Sequence, residues 1–327
     1  MSLGPKEVES AYERIRNYIR HTPLEQSRAL ESFTNGSVFL KMENQQVSGS
    51  FKARGAFNKI LSIPEKERTE MQYIAASTGN HAIACCTVLQ QLGLQGKIVL
   101  PENVASSKLQ DIKLFGVPLE FHGKTSLDAE ILARKLASDS GYQLVHPYDD
   151  PEIVAGQGTV AIEIIEEMGV PDVVVIPVGG GGLISGICTY IKNQFPNVHI
   201  IGCQPERSPE MVVSIRKGKI IEENISAPTL SDGTAGGMEP NCITYDICKE
   251  FVDEWLLLAE TEIANGIRFL IERHQVLAEG AGALSIAAVI RLKKQLADRT
   301  VVCLVTGKRI SVEKLKKVMG KDWDPNI

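Results

Sequence analysis

Residues 177–186 read PVGGGGLISG. The four glycines follow a short strand-like run, residues 172–177, apolar after Asp172, and precede a stretch with helical spacing, 183–194. A strand that opens into a helix through glycine lets backbone N–H groups converge without Cβ atoms in the way. The helix N-terminus adds partial positive charge, so the turn suits a phosphate. No Gly-Lys-Ser/Thr follows, so this is not a P-loop. Ile184 stands where a G-x-G-x-x-G counted from Gly179 needs its last glycine, which disfavours a dinucleotide. Close helix–strand packing is the alternative use of the glycines.

The same alternation extends in both directions. Upstream, apolar runs at 73–76, 97–100, 117–121 and 143–145 are separated by helical stretches at 80–92, 106–115 and 127–138. Downstream, 198–203 and 301–305 read as strands, and 208–217, 262–273, 282–296 and a segment from 312 read as helices. Residues 5–19 and 151–168 also carry helical spacing, 37–42 reads as a strand, and the Gly- and Pro-rich 229–241 reads as loop. Alternating strands and helices predict parallel sheets with helical crossovers. The acidic turn HPYDDPE, 146–152, is the candidate domain junction.

Four further stretches carry chemistry. VSGSFKARG, 47–55, places Lys52 behind a Gly-Ser-Phe turn, and alone it does not separate a solvated lysine from a reactive one. ASTGNHA, 76–82, is another strand-to-helix turn, where Thr78, Gly79 and Asn80 offer donors for a carboxylate or serve as ordinary caps. VTGKRIS, 305–311, lies just past the last apolar strand, and carboxyl ends of strands are where open α/β sheets build their sites. Glu279 in LAEGAGA and Asp232-Gly233 in LSDGTAGG are polar positions among small residues.

The bulk numbers fit an ordinary folded protein. The chain has 327 residues, 43% hydrophobic and 23% charged, enough for two domains. A net charge of −5 gives no basic excess for nucleic acid. The apolar runs are too short to span a membrane, and the N-terminus has no apolar signal core, so a cytoplasmic protein is expected. The seven cysteines form no CxxC pair and read as small core residues in a reducing compartment.

Taken in order, GSFKARGA, STGNHA, HPYDDPEIVAGQGT, PVGGGGLISG, LSDGTAGG, LAEGAGA and VTGKRIS resemble the fold-type II pyridoxal 5'-phosphate enzymes, in the branch of serine/threonine dehydratases (ammonia-lyases) and serine racemases. The resemblance runs from about residue 15 to 306. It implies an α/β fold of two domains, each an open, mostly parallel twisted sheet flanked by helices, with the cofactor in the cleft between them. Residues 1–65 and 151–327 would form the large cofactor-binding domain and 66–150 the small one.

The resemblance also implies roles. Lys52 takes the Schiff-base position and Phe51 packs beside the ring. Asn80 bonds the ring's phenolic oxygen. Gly179, Gly180, Gly181 and Gly182, with Leu183, hold the phosphate, and Thr306 contacts the pyridine nitrogen. Ser77, Thr78, Gly79, Asn80 and His81 grip the substrate carboxylate, with Thr78 also the candidate second acid–base group. Glu279 and Gly233 lie near the ring and the substrate side chain. The implied reaction is dehydration and deamination of L-threonine or L-serine to a 2-oxo acid and ammonia, with serine racemisation and 3-hydroxyaspartate dehydration as alternatives, in a homodimer.

Three departures stand out. Thr306-Gly307-Lys308-Arg309 replaces the family's common Ser-Gly-Gly-Asn, and the two cations would either favour an acidic substrate or face solvent and surface acids. Tyr148 replaces a common asparagine. In CQPERSPE, Gln204 stands in one acidic position of the racemase cation site, leaving Glu210 as the match for a possible divalent cation. No regulatory domain follows the last helical stretch, so the feedback control of biosynthetic threonine deaminases is not expected.

Overall fold

In a computed structural model, residues 3–223 and 225–320 are described. Their strands are β1 (Leu24–Gln26), β2 (Ser37–Lys41), β3 (Gln72–Ala76), β4 (Gln95–Leu100), β5 (Leu119–Phe121), β6 (Gln143–Leu144), β7 (Val173–Pro177), β8 (His199–Pro205), β9 (Glu254–Leu258) and β10 (Thr300–Leu304). They form two sheets, one ordered β1-β2-β10-β7-β8-β9 and one ordered β5-β4-β3-β6. Every pairing is parallel except β1 with β2, as helical crossovers require.

The apolar strands are continuous because both faces of each sheet are covered. Val173, Val175, Val301 and Cys303 enter one core, while Val174, Ile176, Val302 and Leu304 enter the core on the opposite face. The four-stranded sheet repeats the pattern, with Tyr73, Ala75, Ile98 and Leu100 on one side and Ile74, Ala76 and Val99 on the other. Among the described residues, no helix is long and apolar enough to cross a membrane.

Several elements differ from the sequence reading. The helix expected over 5–19 is Pro5–Ile15. Tyr18 nonetheless stacks on Phe57 at 5.6 Å, so its apolar spacing reflects packing after the helix has ended. The helix expected over 282–296 is Gly280–Leu292. Six elements were not anticipated: strand β1, helix Arg28–Thr34, the 3-10 turn Glu43–Gln45, helix Glu65–Glu70, helix Ile243–Phe251 and edge strand β9.

A buried charge cluster ties the segment carrying Lys52 to the large sheet. Helix Lys52–Leu61 places Arg54 inward with no exposed surface. Its guanidinium reaches Glu43 (2.7 and 2.8 Å) and Glu163 (2.6 and 2.8 Å). Lys41, at the end of β2, adds a third cation–carboxylate contact to Glu163 at 2.8 Å. Burial alone would raise the Glu163 carboxyl, but Arg54 and Lys41 outweigh it and hold it below the usual range.

Candidate active site

Two adjacent strands of the large sheet and two of the small one aim their carboxyl ends at one cleft. From the large sheet come the glycine turn after β7 and Thr306 after β10. From the small sheet come residues 77–80 after β3 and 146–148 after β6.

Lys52 is the first residue of its helix, and the segment before it is pinned to the end of β10. Ser50 bridges Gly307, Phe51 N–H donates to Thr306 O at 3.2 Å, and Lys308 N–H donates to Gly49 O at 3.2 Å. This brings two positions 254 residues apart, 306 minus 52, to one place. Lys52 Nζ donates to Pro147 O at 2.6 Å and lies 5.3 Å from the centre of the Phe51 ring. Burial lowers the ammonium to about 8, against the opposing pull of Cys85 and Glu279. A lysine so lowered is about a tenth neutral at pH 7, against well under a thousandth for an ordinary one.

The glycine turn is shaped from outside by protein. Gly181 has φ +88°, a conformation that L side chains rarely adopt, and caps helix Gly182–Gln194. A Cβ on Gly180 would lie 2.5 Å from the Tyr148 ring. Thr244 Oγ1 donates to Gly180 O at 2.7 Å. The first N–H groups of the helix have no acceptor within it. Tyr148, which stands where the family commonly has an asparagine, is therefore a wall of the cradle, with its hydroxyl accepting from Glu239 N–H at 2.9 Å. Gly180→Val is expected to weaken cofactor uptake at least tenfold, about 1.4 kcal/mol, while the apo fold persists. Equilibrium dialysis of the cofactor alongside apo-protein melting checks this, and unchanged affinity in a folded variant rejects the cradle.

Asn80 opens helix Asn80–Leu92 and donates from Nδ2 to Glu279 Oε1 at 2.6 Å. Its Oδ1 is buried without a hydrogen-bond partner. Glu279 caps helix Gly280–Leu292, and burial pushes its carboxyl up to about 7, with Asp232 adding to the rise and Asn80 and Arg309 opposing it. Gly233 lies beside it, since a Cβ there would be 3.2 Å from Glu279 Oε1. Thr306 is buried, at 3% exposure. Ser77, Thr78, Gly79 and Asn80 are half-buried along the cleft, with Gly79 N–H donating to Ser77 Oγ at 3.2 Å. The His81 ring bonds Val145 O at 2.7 Å, and burial lowers it to about 3. It is neutral and occupied, so His81 offers the cleft its backbone.

The remaining expectations resolve by contact. Lys308 is exposed, and Arg309 reaches Asp111 at 3.1 Å and Ser48 O at 3.2 Å. Of the two outcomes expected for these cations, the structure has the one with solvent and a surface acid. Glu210 is buried, and its carboxylate accepts from Ser208 Oγ (2.6 Å) and from Ser226 Oγ. Among the described residues, no group of three or more His, Cys, Asp or Glu could hold a metal ion. The carboxylate expected to take a cation is thus engaged by two hydroxyls. Sequence reading missed the Pro147 carbonyl and Thr244, which act through position, and noted Tyr148 only as a departure without its role as a wall.

The chain is similar to known proteins over nearly its whole length. The family profile described as pyridoxal-phosphate dependent enzyme matches residues 15–307. An L-threonine ammonia-lyase from Thermotoga maritima is 39% identical over 316 residues, 97% of this chain and 78% of that protein. The L-threonine dehydratase catabolic TdcB from Staphylococcus aureus is 40% identical over 323 residues, 98% of this chain and 92% of that protein. Among solved structures, maize serine racemase superposes with a TM-score of 0.90 at 26% identity, covering 98% of each chain. The processed form of threonine deaminase isoform 2 from Solanum lycopersicum has a TM-score of 0.88 at 30% identity, covering 96% of this chain and 88% of that one.

Proposed function

The chain belongs to the pyridoxal-phosphate-dependent enzyme family, and from that premise we propose that it dehydrates and deaminates L-threonine or L-serine to a 2-oxo acid and ammonia. The observation that carries the proposal is Lys52, half-buried, lowered to about 8 and bonded to the Pro147 carbonyl, next in chain to the Tyr148 that walls the glycine cradle, while the preceding Phe51 N–H donates to Thr306 O. The relatives named for L-threonine, at 39% and 40% identity, support the substrate class.

The residues present fit the cofactor. The cradle of Gly179–Leu183 leaves N–H groups for a phosphate. The orphaned Asn80 Oδ1 marks a polar position awaiting a partner. Phe51 supplies an apolar edge, and Thr306 a hydroxyl where a carboxylate would hold a ring nitrogen protonated. When bound, the cofactor supplies an aldehyde for amino groups and an electron sink for the pair left at the substrate Cα.

The chain supplies the rest. Lys52 would carry the cofactor and, once displaced by the substrate amine, would take the Cα proton at Nζ. The N–H groups and hydroxyls of residues 77–81 would orient the substrate carboxylate. Gly233 and Glu279 would border its side chain. Arg309 is committed to Asp111, which favours the uncharged hydroxy amino acids over 3-hydroxyaspartate. The proposed division into 1–65 with 151–327 and 66–150 is supported by the separation into two sheets, residues 1, 2, 224 and 321–327 lying outside the described ones. A cytoplasmic homodimer completes the reading.

Serine racemisation is the second reading, supported by the maize serine racemase likeness and by the Thr78 hydroxyl on the cleft. One assay separates the two: release of 2-oxo acid from L-threonine, L-serine and 3-hydroxyaspartate, measured beside formation of D-serine from L-serine. 2-Oxo acid release in excess of D-serine, greatest with L-threonine, is the expected outcome. D-serine as the main product from L-serine would reverse the order.

A further inference from the structure

The loop that contains Asp232 and Gly233 lines two separate spaces. At Gly233 and Thr234 it borders the catalytic cleft, beside Glu279 and Gly179 respectively. At Leu230 it walls a cavity of about 260 Å³ on another side of the large sheet's helices. Pro228, Ala264 and Val318 extend the apolar lining, and Lys314, Lys317 and Arg207, whose Nη1 also donates to Pro228 O at 3.1 Å, supply cations.

The charges around this cavity do not cancel. Its one lining carboxylate, Glu260, already accepts from Thr229 Oγ1 (2.5 Å) and Leu230 N–H (2.7 Å). Lys314 reaches out of the cavity to Asp232 at 3.0 Å. Asp232 is shared with Lys108 at 3.2 Å, on helix Ser106–Lys113 of the four-stranded unit. Four cations therefore face two carboxylates. The volume matches roughly the share of eight or nine waters and lies just below the usual range for small-molecule sites.

We propose that this cavity binds a small organic dianion, a phosphate monoester or a dicarboxylate with a short apolar body, and that its occupancy acts on the catalytic cleft through Asp232. The apolar lining takes the body and the three cations take the charge. A dianion that draws Lys314 inward leaves Lys108 as the sole partner of Asp232. That strengthens the contact across the mouth of the cleft and steadies Gly233 beside Glu279.

The test uses cofactor-loaded enzyme, with phenyl phosphate and glutarate as probes and sulfate as the inorganic control. Calorimetry without substrate is expected to show saturable binding of one organic probe, tighter than sulfate. Lys317→Glu and Arg207→Gln should each weaken it tenfold or more, and Lys317→Glu should leave turnover without probe unchanged. The saturating probe should lower the KM for L-threonine about fivefold, the low end of ordinary coupling between sites, and Lys314→Met should remove that response. No saturable binding at millimolar probe, or binding indifferent to both charge variants, overturns the site. So does binding displaced by excess cofactor, or seen only after residues 321–327 are removed. A KM that does not move at saturation overturns the coupling. The calorimetric arm needs no substrate, so it stands or falls separately from the proposed reaction.

Discussion

Lys52→Ala is expected to lower 2-oxo acid release from L-threonine by about 10³-fold or more, the loss of a general base alone being worth about 10²–10⁴-fold. The variant should also lose the yellow colour of covalently held cofactor while retaining phosphate-driven binding in the glycine cradle. The pH dependence of cofactor uptake by apo-protein gives a second readout. Lys52 attacks only as the neutral amine, and burial lowers it to about 8. Uptake should therefore rise as pH increases through about 8 and level off above it, rather than climbing toward the ordinary lysine range near 10.4. Borohydride should fix the label on the peptide containing Lys52. A label on another lysine, or a coloured and active Lys52→Ala protein, would remove the assignment.

The centre of the fold was legible because its signals are local. β7 is apolar at every position since both faces are buried, and four glycines at its end fit only a close turn. Residues 77–80 and 305–311 were legible for the same reason, as polar sequence at the ends of apolar strands. β9 was missed because an edge strand needs no complete pattern: EWLLL is half-buried along most of its length and neither alternates nor is long. Helix Glu65–Glu70 buries nothing, so no periodicity could reveal it. Helix Pro5–Ile15 was overextended because Tyr18 continues to pack beyond the last helical turn.

The candidate site was legible through family motifs, but which of their residues meet was not. Asp232 and Glu279 looked like isolated polar residues, and only folding brings them within electrostatic reach. Tyr148 and Thr244 carry no chemical signal in sequence, yet they form the outside of the glycine cradle. Arg54 lay beside Lys52 in the most informative stretch, but its partners are 11 and 109 residues away. The available clue was Glu163, a carboxylate inside the apolar run TVAIEII.

That cluster supports the second large prediction. Arg54→Met should destabilise the protein by about 3–5 kcal/mol, because removing one partner leaves buried carboxylates with too little compensation. The sign of its pH dependence separates this cause from lost packing. In the wild type the Glu163 carboxyl is held below its usual range. Its contribution is present above the unfolded pKa, near 4.3, and is lost as pH falls through the folded value. Without Arg54, burial gains weight against Lys41 and the folded pKa of Glu163 is expected to rise above the unfolded one. The contribution is then fully present below the unfolded pKa and lost as pH rises. The stability deficit of Arg54→Met relative to wild type should accordingly shrink between pH 7.5 and pH 5. Adding Glu43→Gln and Glu163→Gln removes the stranded charges and should recover part of the loss, although Lys41 then keeps Glu167 and the Thr22 carbonyl as partners. Because the guanidinium joins helix Lys52–Leu61 to Glu43 and Glu163, Arg54→Met should also loosen the placement of Lys52. Cofactor uptake below its melting temperature should slow. Chemical denaturation at the two pH values decides the matter: a deficit that is the same at both would mean that Arg54 acts through packing and not through its charge.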